Sequence, residues 1–321
     1  MSWSGPIRRR TLAALLGLAF LLTGLWGAAG SALALGPFNH LVLARQLADP
    51  ALFDQPTWRR ALLAGALALD AGYYPGAEDS LAEAVHLLRP WDVCRALTEL
   101  AATPEEKAFA LGYVSHAILD GRGHAELINR LSGRPFSADQ LNHKRVEWGL
   151  DCWVLTRPEN QWLWEVEAHS PEGLGLWARA LGRAYGVAVP EEVLDRSLRA
   201  ELVEVDRLPR VFWYSGQTRR PGRWWGNAAG WILGHTARPL AVRLLSWHGG
   251  YINERAVLGA RPPQPQDISD LQALLGRVEE ETRAVLAGAA LPQGNLDADP
   301  ACHQEDCPGA LQARAWLKGL R

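Results

Sequence analysis

The 321-residue chain has no excess of basic charge. It carries 33 Lys and Arg against 35 Asp and Glu, a net charge of −2. Such a balance gives no electrostatic footprint for a nucleic-acid partner. Charged residues are not so dense, nor apolar residues so sparse, as to suggest disorder, at 21% and 48%. The chain is long enough for one large domain or two small ones with a well-buried core. Methionine occurs only at position 1, and cysteine only four times, with no zinc-finger CxxC spacing. No run of alternating apolar and polar residues bounded by turn signals is evident, and no internal repeat. What is abundant is tryptophan: 15 residues, some of which fit a membrane or interface surface as well as a core.

The first 34 residues resemble a targeting segment. Arg8, Arg9 and Arg10 precede an uncharged stretch from Thr11 to Leu35, which ends in Ser31-Ala32-Leu33-Ala34. This is the pattern of a secretory signal peptide cut after Ala34; an uncleaved membrane anchor is the alternative. Cleavage removes three arginines and leaves 30 basic against 35 acidic residues, a net charge of −5. The expected location is therefore the periplasm or the exterior. In an oxidising compartment the four cysteines suggest two disulfides, Cys302–Cys307 and Cys94–Cys152.

Helix signals recur. Thr103-Pro104-Glu105-Glu106 is a capping box with Pro at the first helical position, opening a helix to about Leu131. Ser137-Ala138-Asp139-Gln140 is a second, opening a helix to about Leu155. Further helices are expected near 38–48, 57–69, 79–88, 171–184, 190–205, 226–246 and 267–288. The reading is all-α, a multi-helix bundle with an irregular, aromatic-rich C-terminal half. The expected division is a helical domain over 35–260, then a C-terminal helix and irregular tail over 261–321.

One constellation stands out. His116, Asp120 and His124 are spaced i, i+4, i+8. Successive steps of four turn a helix by only ~40°, so all three share one face. His143 and Glu147 repeat the spacing on the next helix, and helices joined by a short loop pack antiparallel. A buried group of this kind without a metal would leave costly polar atoms unpaired. Glycines 112, 121 and 123 would let a neighbouring helix approach closely. Mixed His and carboxylate donors without thiolate suit zinc. Closely spaced zinc ions serve phosphate ester hydrolysis.

These residues resemble the zinc-dependent bacterial phospholipases C and the fungal single-strand nucleases that share their fold. The resemblance covers roughly residues 35–156. The family is all-α and holds three zinc ions in a cleft. Its mature chain begins with Trp-Gly and a His follows shortly after; here cleavage would leave Leu35-Gly36-Pro37-Phe38-Asn39-His40, with Leu in place of Trp. The Leu35-to-His40 spacing matches the nuclease branch. Asp70 follows in Gly65-Ala66-Leu67-Ala68-Leu69-Asp70, with Leu69 where the family has Pro, and then His86. Only three residues separate Asp120 from His124, where the well-studied members have five.

The resemblance implies one zinc held by Asp70, His86, His116 and Asp120, and a second by His124, His143 and Glu147. A third would take the Leu35 amine and carbonyl, His40 and a bridging Asp120. Asp70 would orient or deprotonate the attacking water. The implied function is an exported hydrolase of phosphate esters, using two to three zinc ions on a phospholipid or other phosphodiester. Alternatives are a nuclease or nucleotidase on the same scaffold and a non-catalytic zinc-binding protein at a membrane. Nucleic acid is the less favoured substrate, and no protein partner is expected.

Two further readings complete the set. Asp151, at i+4 from Glu147, is expected on a solvated face. The stretch Trp213–Trp225, with Arg219, Arg220 and Arg223, forms a turn-rich loop suited to a lipid interface or to stacking on bases.

Overall fold

The computed structural model describes residues 35–135, 138–166, 171–222, 227–228, 257, 259–298, 302 and 306–321. Residues 1–34, with the expected signal peptide, and all of the expected helix near 226–246 except 227–228 lie outside them. Helices follow one another as α1 (Pro37–Leu47), α2 (Pro50–Phe53), α3 (Pro56–Ala68), α4 (Asp79–Leu87), α5 (Pro90–Leu100) and α6 (Pro104–Gly123). After a π-helical turn at His124–Ile128 come α7 (Asn129–Ser132), α8 (Gln140–Leu155), α9 (Leu174–Tyr185), α10 (Glu191–Tyr214), α11 (Pro265–Leu286) and α12 (Pro308–Gly319). Short 3-10 helices cover Ala71–Tyr73 and Pro158–Glu165. No strand occurs among the described residues. The chain is all-α, as its sequence signals require.

Proline punctuates these starts. Pro37, Pro50, Pro56, Pro90, Pro104, Pro265 and Pro308 all sit in the first helical turn, where a missing N–H costs nothing and φ is already helical. The Thr103 capping box forms in both directions: Glu106 N–H donates to Thr103 Oγ1 at 3.1 Å, and Thr103 N–H donates to Glu106 Oε2 at 3.3 Å. The second start differs from expectation. Asp139 caps α8 by accepting from Asn142 N–H at 3.1 Å, so the helix begins at Gln140. Helices α5 and α12 were not read from the sequence, and α10 continues through Pro209 to Tyr214.

The centre of the molecule is α6, buried on all sides from Ala108 to Asp120 except at Leu111, as a helix surrounded by others must be. It packs against α3, α5, α11 and α1. Its crossing with α3 is a backbone contact. A Cβ on Gly112 would lie 2.2 Å from Leu62 O, and one on Gly65 would lie 2.0 Å from Phe109 O. Only glycine at both positions permits this approach. Gly123 meets the Leu35 side chain, whereas Gly121 has room for ordinary contact with Trp91.

The cysteine expectation is half corrected. Cys302 and Cys307 form a disulfide. Cys94 and Cys152 do not pair; both are buried free thiols. Each lies in an apolar helix environment and acts as a small hydrophobic residue, and burial pushes both thiols up from their ordinary pKa.

No described helix is long and apolar enough to cross a membrane. In the Trp213–Trp225 stretch, Trp213 and Tyr214 end α10 instead of entering a loop, and Trp213 Nε1–H donates to Asn227 Oδ1 at 3.3 Å. Positions 223–225 lie outside the described residues.

Candidate metal centre

The crossing of α3 and α6 places Asp70, just past α3, opposite His116 and Asp120 on α6. His86 enters from α4. These four side chains form one group whose donor atoms all lie within 4.8 Å of one another. His86 Nε2 is 3.1 Å from Asp70 Oδ1 and 3.5 Å from Asp120 Oδ2. His116 Nε2 is 3.2 Å from Asp120 Oδ2 and 3.7 Å from Asp70 Oδ2. His124, His143 and Glu147 form a second group of the same compactness, with His143 Nε2 3.1 Å from Glu147 Oε1. The 80° swept from His116 to His124 thus divides one helix face between two groups.

His40 links to the first group. Its ring stacks on His116 at a centroid distance of 3.5 Å, and its Nε2 is 3.1 Å from Asp120 Oδ1. Asp120 therefore faces His40 with one oxygen and His86 and His116 with the other. Leu35 is fully buried, its side chain against the Gly123 position. All nine residues singled out from the sequence are at most 1% exposed.

The donor chemistry fits a cation. His116 Nδ1–H donates to Ala66 O at 2.6 Å, His86 Nδ1–H to Ala82 O at 2.9 Å, and His124 Nδ1–H to Asp297 O at 3.1 Å. A carbonyl only accepts, so each ring carries its proton on Nδ1 and turns an Nε2 lone pair inward. For His86 and His116 those lone pairs face carboxylate oxygens. Neither these Nε2 atoms nor the oxygens of Asp70, Asp120 and Glu147 make a hydrogen bond of acceptable geometry. Acceptors facing acceptors in a sealed interior are stable only with positive charge between them.

Without such an ion, protons take that role. Burial alone would lower His86 and His116, but the Asp70 and Asp120 carboxylates outweigh it and raise both, His86 well above the usual value. Burial would raise Asp120, yet His116 and His40 hold it well below the usual carboxylate range. His40 is lowered by burial and by His116. In the second group, burial and His124 push His143 down to about 2, while burial lifts Glu147 well above its usual value. Lys144 is also buried, and burial lowers its ammonium to about 8 against the pull of Glu147 and Asp70.

Three buried carboxylates were missed or misplaced by sequence reasoning. Asp151 is not solvated but fully buried. It accepts from Asn39 Nδ2 at 2.6 Å, Asn39 N–H at 3.3 Å and Phe38 N–H at 3.5 Å, and so caps α1 from a distant helix. Burial lifts its carboxyl to about 8, opposed by those bonds. Its spacing of i, i+4, i+8 with His143 and Glu147 was the available signal. Glu201 is fully buried on α10, and burial with the nearby Asp70 raises it well above its usual value. A carboxylate in line with Leu194 and Leu198 on an apolar face was its signal. Asp297, in the C-terminal segment, had none.

The comparisons agree with this geometry. Residues 39–186 match the model of a family described as zinc dependent phospholipase C. No curated protein and no solved structure matches the chain. The matched span holds His40, Asp70, His86, His116, Asp120, His124, His143 and Glu147, and runs beyond the sequence resemblance through α9. With its all-α architecture and two buried groups suited to metal, residues 39–186 belong to the zinc-dependent phospholipase C family.

Proposed function

We propose that this protein is an exported zinc-dependent hydrolase of phosphodiesters, acting on phospholipids in the manner of a phospholipase C. The observation that supports this most strongly is the pair of sealed donor groups, joined through α6, in which carboxylate oxygens and imidazole lone pairs face one another. Asp70, His86, His116 and Asp120 would hold one zinc, and His124, His143 and Glu147 a second. His40 and Asp120 would share a third with the Leu35 amine and carbonyl, once cleavage after Ala34 frees that amine. When bound, closely spaced zinc ions supply Lewis-acid polarisation of phosphoryl oxygens and hydroxide near neutral pH.

The chain's own residues then have separable tasks. The Ala66, Ala82 and Asp297 carbonyls hold the His116, His86 and His124 rings in one tautomer, so no reorganisation is needed on binding. Asp70 is the candidate to orient the attacking water and accept its proton. The apolar shell around the groups excludes bulk water and strengthens every charge interaction within. Trp213 and the neighbouring arginines are placed in this proposal at the lipid surface.

The test is hydrolysis of phosphatidylcholine and of single-stranded DNA by mature protein purified without chelator, alongside its zinc content. Lipid turnover with two to three zinc per chain is the expected result. DNA turnover alone would transfer the assignment to the nuclease reading, which the Leu35-to-His40 spacing favours. Bound zinc with no turnover of either substrate would favour a non-catalytic role.

A further inference from the structure

The family match ends at residue 186, yet a segment more than 100 residues later closes on the centre. Leu296 N–H donates to His86 O at 3.1 Å. One residue on, Asp297 O accepts from His124 Nδ1. The strap thus bonds to one histidine from each donor group. Trp91 Nε1–H anchors its beginning by donating to Gly294 O at 2.9 Å. Beyond it, the Cys302–Cys307 disulfide precedes α12, and α12 packs on α4, the helix that carries His86. Ala298 holds a left-handed backbone, φ 47°, that alanine adopts only where its surroundings over-determine it.

The Asp297 side chain is also turned inward. It is 7% exposed, and its Oδ1 makes no hydrogen bond. Burial raises its carboxyl above the ordinary value, His86 and His124 oppose that rise, and Asp120 and Asp70 add to it, so it lies within electrostatic reach of both groups. It belongs to neither set of mutually close donors. Each divalent ion bound there would add two positive charges beside the liganding carboxylates Asp70, Asp120 and Glu147. An uncompensated charge in a sealed interior is costly.

We propose that residues 292–298 are a latch that completes the metal centre from outside the family domain, with Asp297 as its positioning residue. Its main-chain carbonyl fixes the His124 ring, and its carboxylate adds negative charge beside both groups. This rests on the zinc reading above. It predicts that zinc retention by ligands within the family span depends on a part of the chain that contributes none of them.

The experiment is zinc competition against a chromophoric chelator, with cobalt(II) absorption as a second readout of the ligand field. Asp297→Asn keeps the size and the main-chain carbonyl but removes the charge. It should weaken zinc retention about 10–100-fold, and Asp297→Glu should restore much of it. Trp91→Phe removes the indole N–H that anchors the strap, together with part of a buried ring, and should shift retention in the same direction by a smaller factor and alter the cobalt spectrum. Zinc retention in folded Asp297→Asn or Trp91→Phe protein equal to wild type would overturn the latch while leaving the zinc reading intact. A wild-type chain that binds no zinc would overturn both.

Discussion

The two donor groups are built from the same residue types at the same helical spacing, but their electrostatics differ. The first has two carboxylates for two histidines, with His40 stacked against it, and its rings are locked by carbonyls of α3 and α4. The second has one carboxylate for two histidines, whose rings lie 4.9 Å apart, and its His124 is locked by the C-terminal strap. The first is therefore rich in negative charge, which raises His86 and His116 against their burial. The second is poorer in it, and burial dominates there, pushing His143 down to about 2 and lifting Glu147 well above its ordinary value. Spacing along a helix chooses donors; the count of carboxylates across the packing decides what those donors do.

The sharpest way to break this comparison is Asp120→Asn. It removes the carboxylate that faces His40, His86 and His116, and should cut phosphodiester hydrolysis roughly 10²–10³-fold or more. Zinc content should fall at the first group and persist at His124, His143 and Glu147. Loss of all zinc together would show that the groups act as one.

Proton release separates them next. Against their burial, the Asp70 and Asp120 carboxylates raise His86 and His116 above their ordinary value, so both keep their protons to higher pH than a free imidazole and an arriving ion must displace them. In the second group burial raises Glu147 well above its ordinary value and pushes His143 down to about 2, so Glu147 is the harder of the two to deprotonate. Zinc affinity should therefore rise with pH more steeply at the first group than at the second, until those folded values are passed. Calorimetry in buffers of different ionisation enthalpy counts the protons. Equal slopes would contradict the assigned asymmetry.

Gly65→Ala acts on packing. Its Cβ would lie 2.0 Å from Phe109 O, forcing α3 from α6 at a cost of about 1–3 kcal/mol. Because His116 is locked to Ala66 O, the first group should lose zinc affinity more than the second. The smallest effect is expected of Asp151→Ala, which removes the distant cap of α1 for about 1 kcal/mol. Thermal melting should fall slightly, with the second group's zinc retained.

The paired spacings were legible because an α-helix repeats every 3.6 residues, so His116, Asp120, His143 and Glu147 announce their faces locally. Helix starts were legible where proline or a capping residue stands first, as at Thr103. Helix α5 was not, although Pro90 opens it, because Arg89-Pro90 also reads as a turn. The pairing of Cys94 with Cys152 was misjudged because cysteine serves equally as a disulfide partner or a small core residue. Asp151 was placed in solvent because a carboxylate on a helix usually belongs there.

Local sequence thus set the all-α architecture, the helix starts and the i, i+4 donor pairs, since these depend on backbone and side-chain geometry within one or two turns. The division of donors into two groups and the locking of His116 by Ala66 and of His124 by Asp297 arose from packing between distant segments. Their energies depend on which carbonyl or charge arrives across the interior, and no short-range pattern encodes that arrival.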